Sequence, residues 1–397
     1  MANTFDAGFA ASRSDRTLQI LERLIAFDTT STRSNLELIR WVADYLKGHG
    51  IDSRLSGDSE GKANLFATVG PAERGGVILS GHTDTVPVEG QPWDSDPFRL
   101  TERGERLQAR GSADMKGFIA LSLALVPEAV ARPLKVPLHF ALSHDEETGC
   151  LGAPALIRSL PHDIARPALA IIGEPTSMQV ANRQKGCNFF RTRVSGLEGH
   201  SSAPDRGVNA IVAASEIIAE IARLADEARA RGHPDSGFEP PHTTMSVGTI
   251  AGGTAVNIIA RDCVFDWDLR NVPEDDAVAL KARIERFIET DLLPRMRARY
   301  PGAAVETETI TAVPPLVPDA GSPAEALARR LTGANTTTTV SFATEAGLFQ
   351  QAGIPAIVCG PGSIEVAHRP NEYITRAELA AGAQFLDRLL AWAERGE

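Results

Sequence analysis

VILSGHTD, residues 77–84, carries three large apolar side chains through Ser80 and Gly81 into a histidine and an aspartate. An apolar run this short, closed by a glycine, predicts a strand at Val77 to Leu79 buried on both faces, with polar chemistry at its trailing end. Three further runs have the same form. Pro137 to Leu142 leads into SHDEETG, Leu169 to Ile172 into GEP, and Ala356 to Val358 into GPGSIEVAHRP. Helical segments lie between and before them. Gly117 to Val126 opens just after Asp114, and Thr17 to Phe27 spaces Leu18, Leu21, Leu24 and Ile25 on one stripe. Ser34 and Glu37 form a capping signature for a second helix that runs out at Gly48 and Gly50. Strands alternating with helices predict an α/β fold: a mixed, mostly parallel sheet with helices on both faces.

A different rhythm starts near Lys185. A strand at Asn188 to Val194 precedes a helix at Asn209 to Ala230, with Ile211, Ala214, Ile218, Ile221 and Leu224 on one stripe. Strands at Thr243 to Ile250 and Arg261 to Leu269 follow, then a helix at Asp275 to Met296 and a strand at Ala303 to Thr311. In the second of those strands Cys263, Phe265, Trp267 and Leu269 alternate with Asp262, Asp266, Asp268 and Arg270, the two-residue period of a sheet with one covered face. The order βαββαβ is that of a ferredoxin-like α+β unit. It is inserted, because Phe342 to Gln351 and the strand at Ala356 resume the earlier pattern; the expected boundaries are 1–184 with 312–397, and 185–311.

The composition narrows the function. The chain has 397 residues, beyond the size at which a single core stops growing, so two domains are expected. Its 40 Lys and Arg against 51 Asp and Glu give a net charge of −11, the wrong sign for nucleic acid or an anionic membrane. No apolar run approaches the ~18 residues of a spanning helix. MANTFDAGFAASRSDR lacks the apolar stretch of a signal peptide. Cys150, Cys187, Cys263 and Cys359 form no CxxC pair, so the expectation is a reduced, cytoplasmic protein.

The acids and imidazoles gather at one kind of position. His82 and Asp84, then Asp145, Glu146 and Glu147, then Glu174, then His368 all follow predicted strands, and ligands of open α/β sheets bind at that edge. Each has an ordinary alternative: a hydrogen-bonded surface histidine, a solvated acidic loop, or for Asp114 a helix cap. Those alternatives do not explain why all share one edge. Acids brought that close repel one another unless cations are present. Two histidines and three carboxylates suit zinc, cobalt or manganese. Asp114, Glu147, Glu174 and one hydroxide balance two divalent ions and leave Glu146 over as a base.

GHTDTVP, WDSDPF, RGSADMKG, SHDEETG, GEPTS, GHSSAPDRGVNAI, GGTAVNII and GPGSIEVAHRPNEY together resemble the di-zinc amidohydrolase and peptidase superfamily, from about Thr17 to Tyr373. That superfamily includes acetylornithine deacetylases, which the motifs resemble most, together with succinyl-diaminopimelate desuccinylases and aminoacylases. The resemblance implies that His82 and Glu174 hold one metal, Glu147 and His368 the other, and Asp114 bridges them. It makes Asp84 the carboxylate that orients His82, and Glu146 the general base. His200 would reach a partner subunit's site to stabilise an oxyanion, and the insert would be lid and dimerisation surface of a homodimer. The implied reaction is hydrolysis of a small N-acyl amino acid, first N2-acetyl-L-ornithine to ornithine and acetate in arginine biosynthesis.

Substrate contacts are read from residue chemistry. Asn257 and Arg270 are candidates for the substrate carboxylate or acyl group, although Arg270 has Asp266 and Asp268 as rival partners. Glu345 is a candidate for a side-chain ammonium or else a structural acid, and Gly360 and Gly362 for backbone N–H groups facing a carboxylate. Alternative substrates are succinyl-diaminopimelate, N-acetylcitrulline, a neutral N-acyl amino acid or a dipeptide. A non-catalytic binding protein would be expected to have lost a ligand or the base, and a nucleotide site lacks GxGxxG and GxxxxGK[ST].

Overall fold

The four apolar runs are four neighbouring strands of one sheet. A computed structural model describes residues 12–57 and 61–396, so most of the stretch read for a signal peptide lies outside the described residues. The chain opens with α1 (Arg13–Ile25) and α2 (Leu36–Gly48), then β1 (Ser53–Gly57), β2 (Ala63–Val69) and β3 (Val77–His82). Two short strands, β4 (Thr101–Arg103) and β5 (Arg106–Gln108), precede α3 (Gly117–Ala124) and α4 (Val126–Ala131). Next come β6 (Leu138–Ser143), α5 (Ala153–Arg158), β7 (Leu169–Pro175) and β8 (Ala181–Gln184). The insertion contributes β9 (Cys187–Ser195), α6 (Ala210–Arg231), β10 (Thr244–Gly252) and β11 (Asp262–Arg270), then α7 (Ala277–Phe287), α8 (Leu293–Arg299) and β12 (Ala304–Val313). The chain closes with α9 (Pro323–Thr332), β13 (Thr338–Val340), α10 (Ala346–Gln351), β14 (Ala356–Gly360), β15 (Tyr373–Thr375) and α11 (Arg376–Arg395).

The large sheet has the order β1-β2-β6-β3-β7-β14-β8-β13. Its centre, β6-β3-β7-β14, is parallel, with Val77 opposite both Leu138 and Leu169; β1, β2 and β8 run antiparallel to their neighbours. β3 is buried along its whole length, as a strand covered on both faces must be. α3 is buried at every residue, which matches its apolar GFIALSLA. The second sheet, β10-β11-β9-β12, is antiparallel throughout, the order of the ferredoxin-like unit. Cys263, Phe265, Trp267 and Leu269 of β11 all join the insert's core, and Phe190 stacks on Trp267 with ring centroids 4.2 Å apart.

Several expectations shift. The second helix is capped at Asn35, not by a Ser34–Glu37 box; the Asn35 amide is drawn to Ala63, and Ser34 Oγ accepts from the Leu36 N–H at 3.2 Å. Ile211 is 40% exposed, because α6 begins at Ala210 and turns Ala210, Ala213, Ala214, Ile217, Ile221 and Leu224 inward. The predicted helix at 275–296 is interrupted by a π-helical turn at Ile288–Leu292 and continues to Arg299. By contacts the chain divides into Met1–Asn182 with Leu316–Thr338 and Thr344–Glu397, and Arg183–Pro315 with Thr339–Ala343. Thr339–Ala343 goes with the insert because Thr339 Oγ1 and Ser341 Oγ donate to the carbonyls of Gly237 (2.7 Å) and Glu239 (3.0 Å). Among the described residues no helix is long and apolar enough to cross a membrane.

His139, on β6, makes an acid-sensitivity prediction. It is fully buried, meets Thr68 Oγ1 at 2.9 Å, and its Nε2 has no hydrogen-bond partner among the described residues. Burial pulls its pKa down to about 4, whereas the unfolded chain titrates near 6.5. Above that pH both states are neutral and nothing is lost. Between the two values the unfolded chain takes a proton that the fold refuses, so stability falls by about 3 kcal/mol as pH drops through this window. His139→Gln should flatten that part of the melting-temperature profile; a profile parallel to wild type counts against it.

Candidate metal centre and active site

His82 ends β3, Glu146 and Glu147 follow β6, Glu174 lies in β7, and His368 follows β14. Because these are adjacent parallel strands, their C-terminal ends bring the four segments to one edge. Asp114 arrives separately, on the turn Ser112–Lys116 that leads into α3. His82 Nε2 is 3.0 Å from Asp114 Oδ1 and 3.7 Å from Glu174 Oε1. His368 Nε2 is 3.2 Å from Asp114 Oδ2 and 3.0 Å from Glu147 Oε2. Asp114 therefore stands between the two imidazoles. Ligand-capable atoms of His82, Asp114 and Glu147 lie within 4.8 Å of one another, and so do those of His82, Glu146 and Glu174.

The donor set fits divalent cations. Burial raises the carboxyls of Glu146, Glu147 and Glu174, and neighbouring carboxylates raise them further, so the cluster resists ionising on its own. Burial would also raise Asp114, but hydrogen bonds from His368 and His82 hold it well below the usual range. Hydrogen bonds to Asp114 and Glu147 in turn push His368 up to about 10. His82 Nδ1–H donates to the backbone carbonyl of Asp84 at 3.0 Å, which leaves Nε2 facing Asp114 and Glu174.

Asp84 acts through different atoms from those expected. Its carboxylate is 3.6 Å from His82 Nδ1, beyond hydrogen-bond length, so the carbonyl orients the ring. The carboxylate instead accepts the N–H groups of Glu146 (3.1 Å) and Glu147 (3.2 Å) and the hydroxyl of Ser31 (2.7 Å). It thus holds Glu146 and Glu147 by their backbone. Cys150 Sγ donates to Glu146 Oε1 at 3.3 Å.

The candidate substrate contacts fare unevenly. Glu345 is 1% exposed and accepts from Ser80 Oγ at 2.9 Å, so the expectation that it meets a substrate ammonium is corrected: it is sealed under the centre. The Gly360 N–H is already given to Thr176 Oγ1 at 3.2 Å, which removes it as a carboxylate donor. Gly362 has φ +84° and its carbonyl accepts the Ser177 N–H at 2.7 Å. On the insert, Arg270 pairs with Asp268 at 3.1 Å and lies over the Phe189 ring, its rival reading. Asn257 is exposed, with its carbonyl accepting the Ser201 N–H. His200 is exposed too; its Nδ1 accepts the Ser202 N–H at 3.1 Å, so the neutral ring carries its proton on Nε2 as a donor.

Three buried residues had no assigned role in the sequence. Lys116 Nζ donates to the Leu24 and Phe27 carbonyls at 3.0 Å each, and burial lowers its pKa to about 7. Arg110 and Glu372 form an ion pair at 2.7 Å, both 1% exposed. All three lie inside the quoted motifs RGSADMKG and GPGSIEVAHRPNEY, and that position was their only signal.

The model of Peptidase family M20/M25/M40 matches residues 78–392. The chain belongs to this family. Two relatives are acetylornithine deacetylases. That of Proteus mirabilis is 36% identical over 371 residues, covering 92% of each chain. That of Pasteurella multocida is 35% identical over 382 residues, covering 94% of this chain and 97% of the other. A metallo-carboxypeptidase of Sulfolobus solfataricus shares the fold with a TM-score of 0.74 at 16% identity, covering 96% of this chain and 99% of that one. As an M20/M25/M40 member the chain is a metal-dependent amidohydrolase.

Proposed function

We propose that this chain hydrolyses N2-acetyl-L-ornithine to L-ornithine and acetate. The observation that carries this reading is the convergence of His82, Asp114, Glu147, Glu174 and His368 beside Glu146, in a chain over a third identical to acetylornithine deacetylases across more than nine-tenths of its length. His82 and Glu174 would hold one divalent ion, Glu147 and His368 the other, and Asp114 would bridge; zinc suits the donors, as do cobalt and manganese. When bound, such ions polarise an acyl carbonyl and lower the pKa of water. Glu146 takes a proton as water oxygen attacks the acyl carbon, and returns it to nitrogen as the C–N bond breaks. His200, reaching from the insert of one subunit into the site of its partner, would supply the Nε2–H donor for the developing oxyanion. A homodimer formed through the insert belongs to the same reading, as the resemblance of the motifs implies. Four cysteines in no disulfide suit the cytoplasm.

A steady-state panel tests the substrate: N-acetylornithine, N-acetylcitrulline, N-acetylmethionine, succinyl-diaminopimelate and a dipeptide, each before and after chelation. N-acetylornithine should exceed the others in kcat/KM by ~10-fold or more, about 1.4 kcal/mol of preference. Zinc or cobalt should restore the activity that chelation removes. Equal turnover of N-acetylmethionine overturns the ornithine assignment, and activity that survives metal stripping overturns the mechanism.

A further inference from the structure

We propose that Glu372 and Arg110 form a clamp that sets the position of Asp114 relative to His368, making both positioning residues for the metal centre. The proposal rests on the two-metal reading above. Glu372 lies four residues beyond His368 on the segment that follows β14. Its Oε1 accepts two consecutive backbone N–H groups, those of Ala113 (3.0 Å) and Asp114 (3.1 Å). Its Oε2 accepts from Arg110 Nη1 at 2.7 Å. The His368 segment thereby grips the Asp114 turn by its main chain. Arg110, four residues before Asp114, returns the grip. Its Nη1 also donates to the Arg369 carbonyl at 3.3 Å, and its Nη2 to Gln91 Oε1 at 2.6 Å. Gln91 Nε2 in turn donates to the His368 carbonyl at 3.0 Å.

The consequence is geometric. Asp114 Oδ1 faces His82 and Oδ2 faces His368, so a shift of its backbone changes both sides of the centre at once. An ion pair with both partners 1% exposed is well shielded from water, and a carboxylate that accepts three hydrogen bonds has little freedom to turn. Residues that hold metal ligands in this way typically change metal affinity 10–100-fold when replaced. A role confined to folding predicts otherwise: lower stability of the metal-free protein, with affinity unchanged.

The test titrates metal-free protein with Co(II), following visible absorption and heat, alongside melting of the same metal-free samples. Glu372→Gln should raise the cobalt dissociation constants roughly 10–100-fold and alter the absorption bands. Because Glu372→Gln strands a buried guanidinium, the double variant Arg110→Met/Glu372→Gln is also measured; removing both charges is better tolerated than removing one. It should melt closer to wild type than Glu372→Gln does while still binding cobalt weakly. Glu372→Asp, which keeps the charge on a shorter arm, should recover part of the affinity. Wild-type cobalt affinity in the folded double variant overturns the clamp and leaves the metal centre standing. Wild-type protein that takes up no cobalt overturns the metal centre, and the clamp with it.

Discussion

Glu146→Gln should bind divalent cations as the wild-type protein does and hydrolyse its amide about 10³-fold more slowly. The substitution is nearly isosteric, and the features that hold this position are independent of the side chain's charge. The Glu146 N–H is fixed by Asp84 Oδ1 at 3.1 Å, and Oε1 meets the Cys150 thiol at 3.3 Å. What is lost is the ability to take a proton. Burial, opposed in part by His82, already raises this carboxyl well above its usual range, toward the basicity that a general base at neutral pH needs. The readouts are kcat on the best amide of the panel and metal content by mass spectrometry. A Gln variant with a tenth or more of wild-type turnover is incompatible with a proton-transfer role. Metal content that falls along with turnover would make Glu146 a ligand, as its nearness to His82 and Glu174 permits, and the base would have to be sought elsewhere.

Gly360→Ala should destabilise the fold by about 3 kcal/mol, at the upper end of overpacking costs, and loosen the centre with it. Gly360 ends β14 opposite Pro175 of β7. A Cβ there would stand 2.0 Å from the Gly173 carbonyl oxygen, 2.4 Å from its carbon and 2.6 Å from the Glu174 carbonyl oxygen. All three are backbone atoms. No rotamer change relieves such contacts, so two central strands must part at the residue that carries Glu174. Thermal or urea melting of metal-free protein reads the loss, and weaker cobalt uptake reads the displaced ligand. Gly248→Ala is the control, since a Cβ there meets none of the described residues within 4 Å. A Gly360→Ala protein that melts with the control shows that the strands accommodate the methyl and removes the argument.

Much of this was legible in the residues. Strand period, helix stripes and glycine-closed apolar runs are local properties, and they located β3, β6, β7, β14 and the βαββαβ insert to within a few residues. They missed β1 and β2, although ANLFATV is apolar, because no motif follows it. They misjudged the α6 stripe by one position, since Ile211 and Ala210 differ in hydrophobicity in the opposite sense to their burial.

By itself the sequence determined which acids and imidazoles follow which strand ends, because a residue type and its local period need no distant partner. Only the tertiary structure decided that β6, β3, β7 and β14 lie side by side, so that segments hundreds of residues apart share one edge. It also decided that Asp84 works through its carbonyl as well as its carboxylate, that Glu345 is sealed, and that Glu372 grips the Asp114 turn. Each is a matter of which buried polar group finds which partner. A buried donor or acceptor must be satisfied by whatever the packing brings within about 3 Å, and packing joins residues such as Asp114 and Glu372 without regard to their separation along the chain.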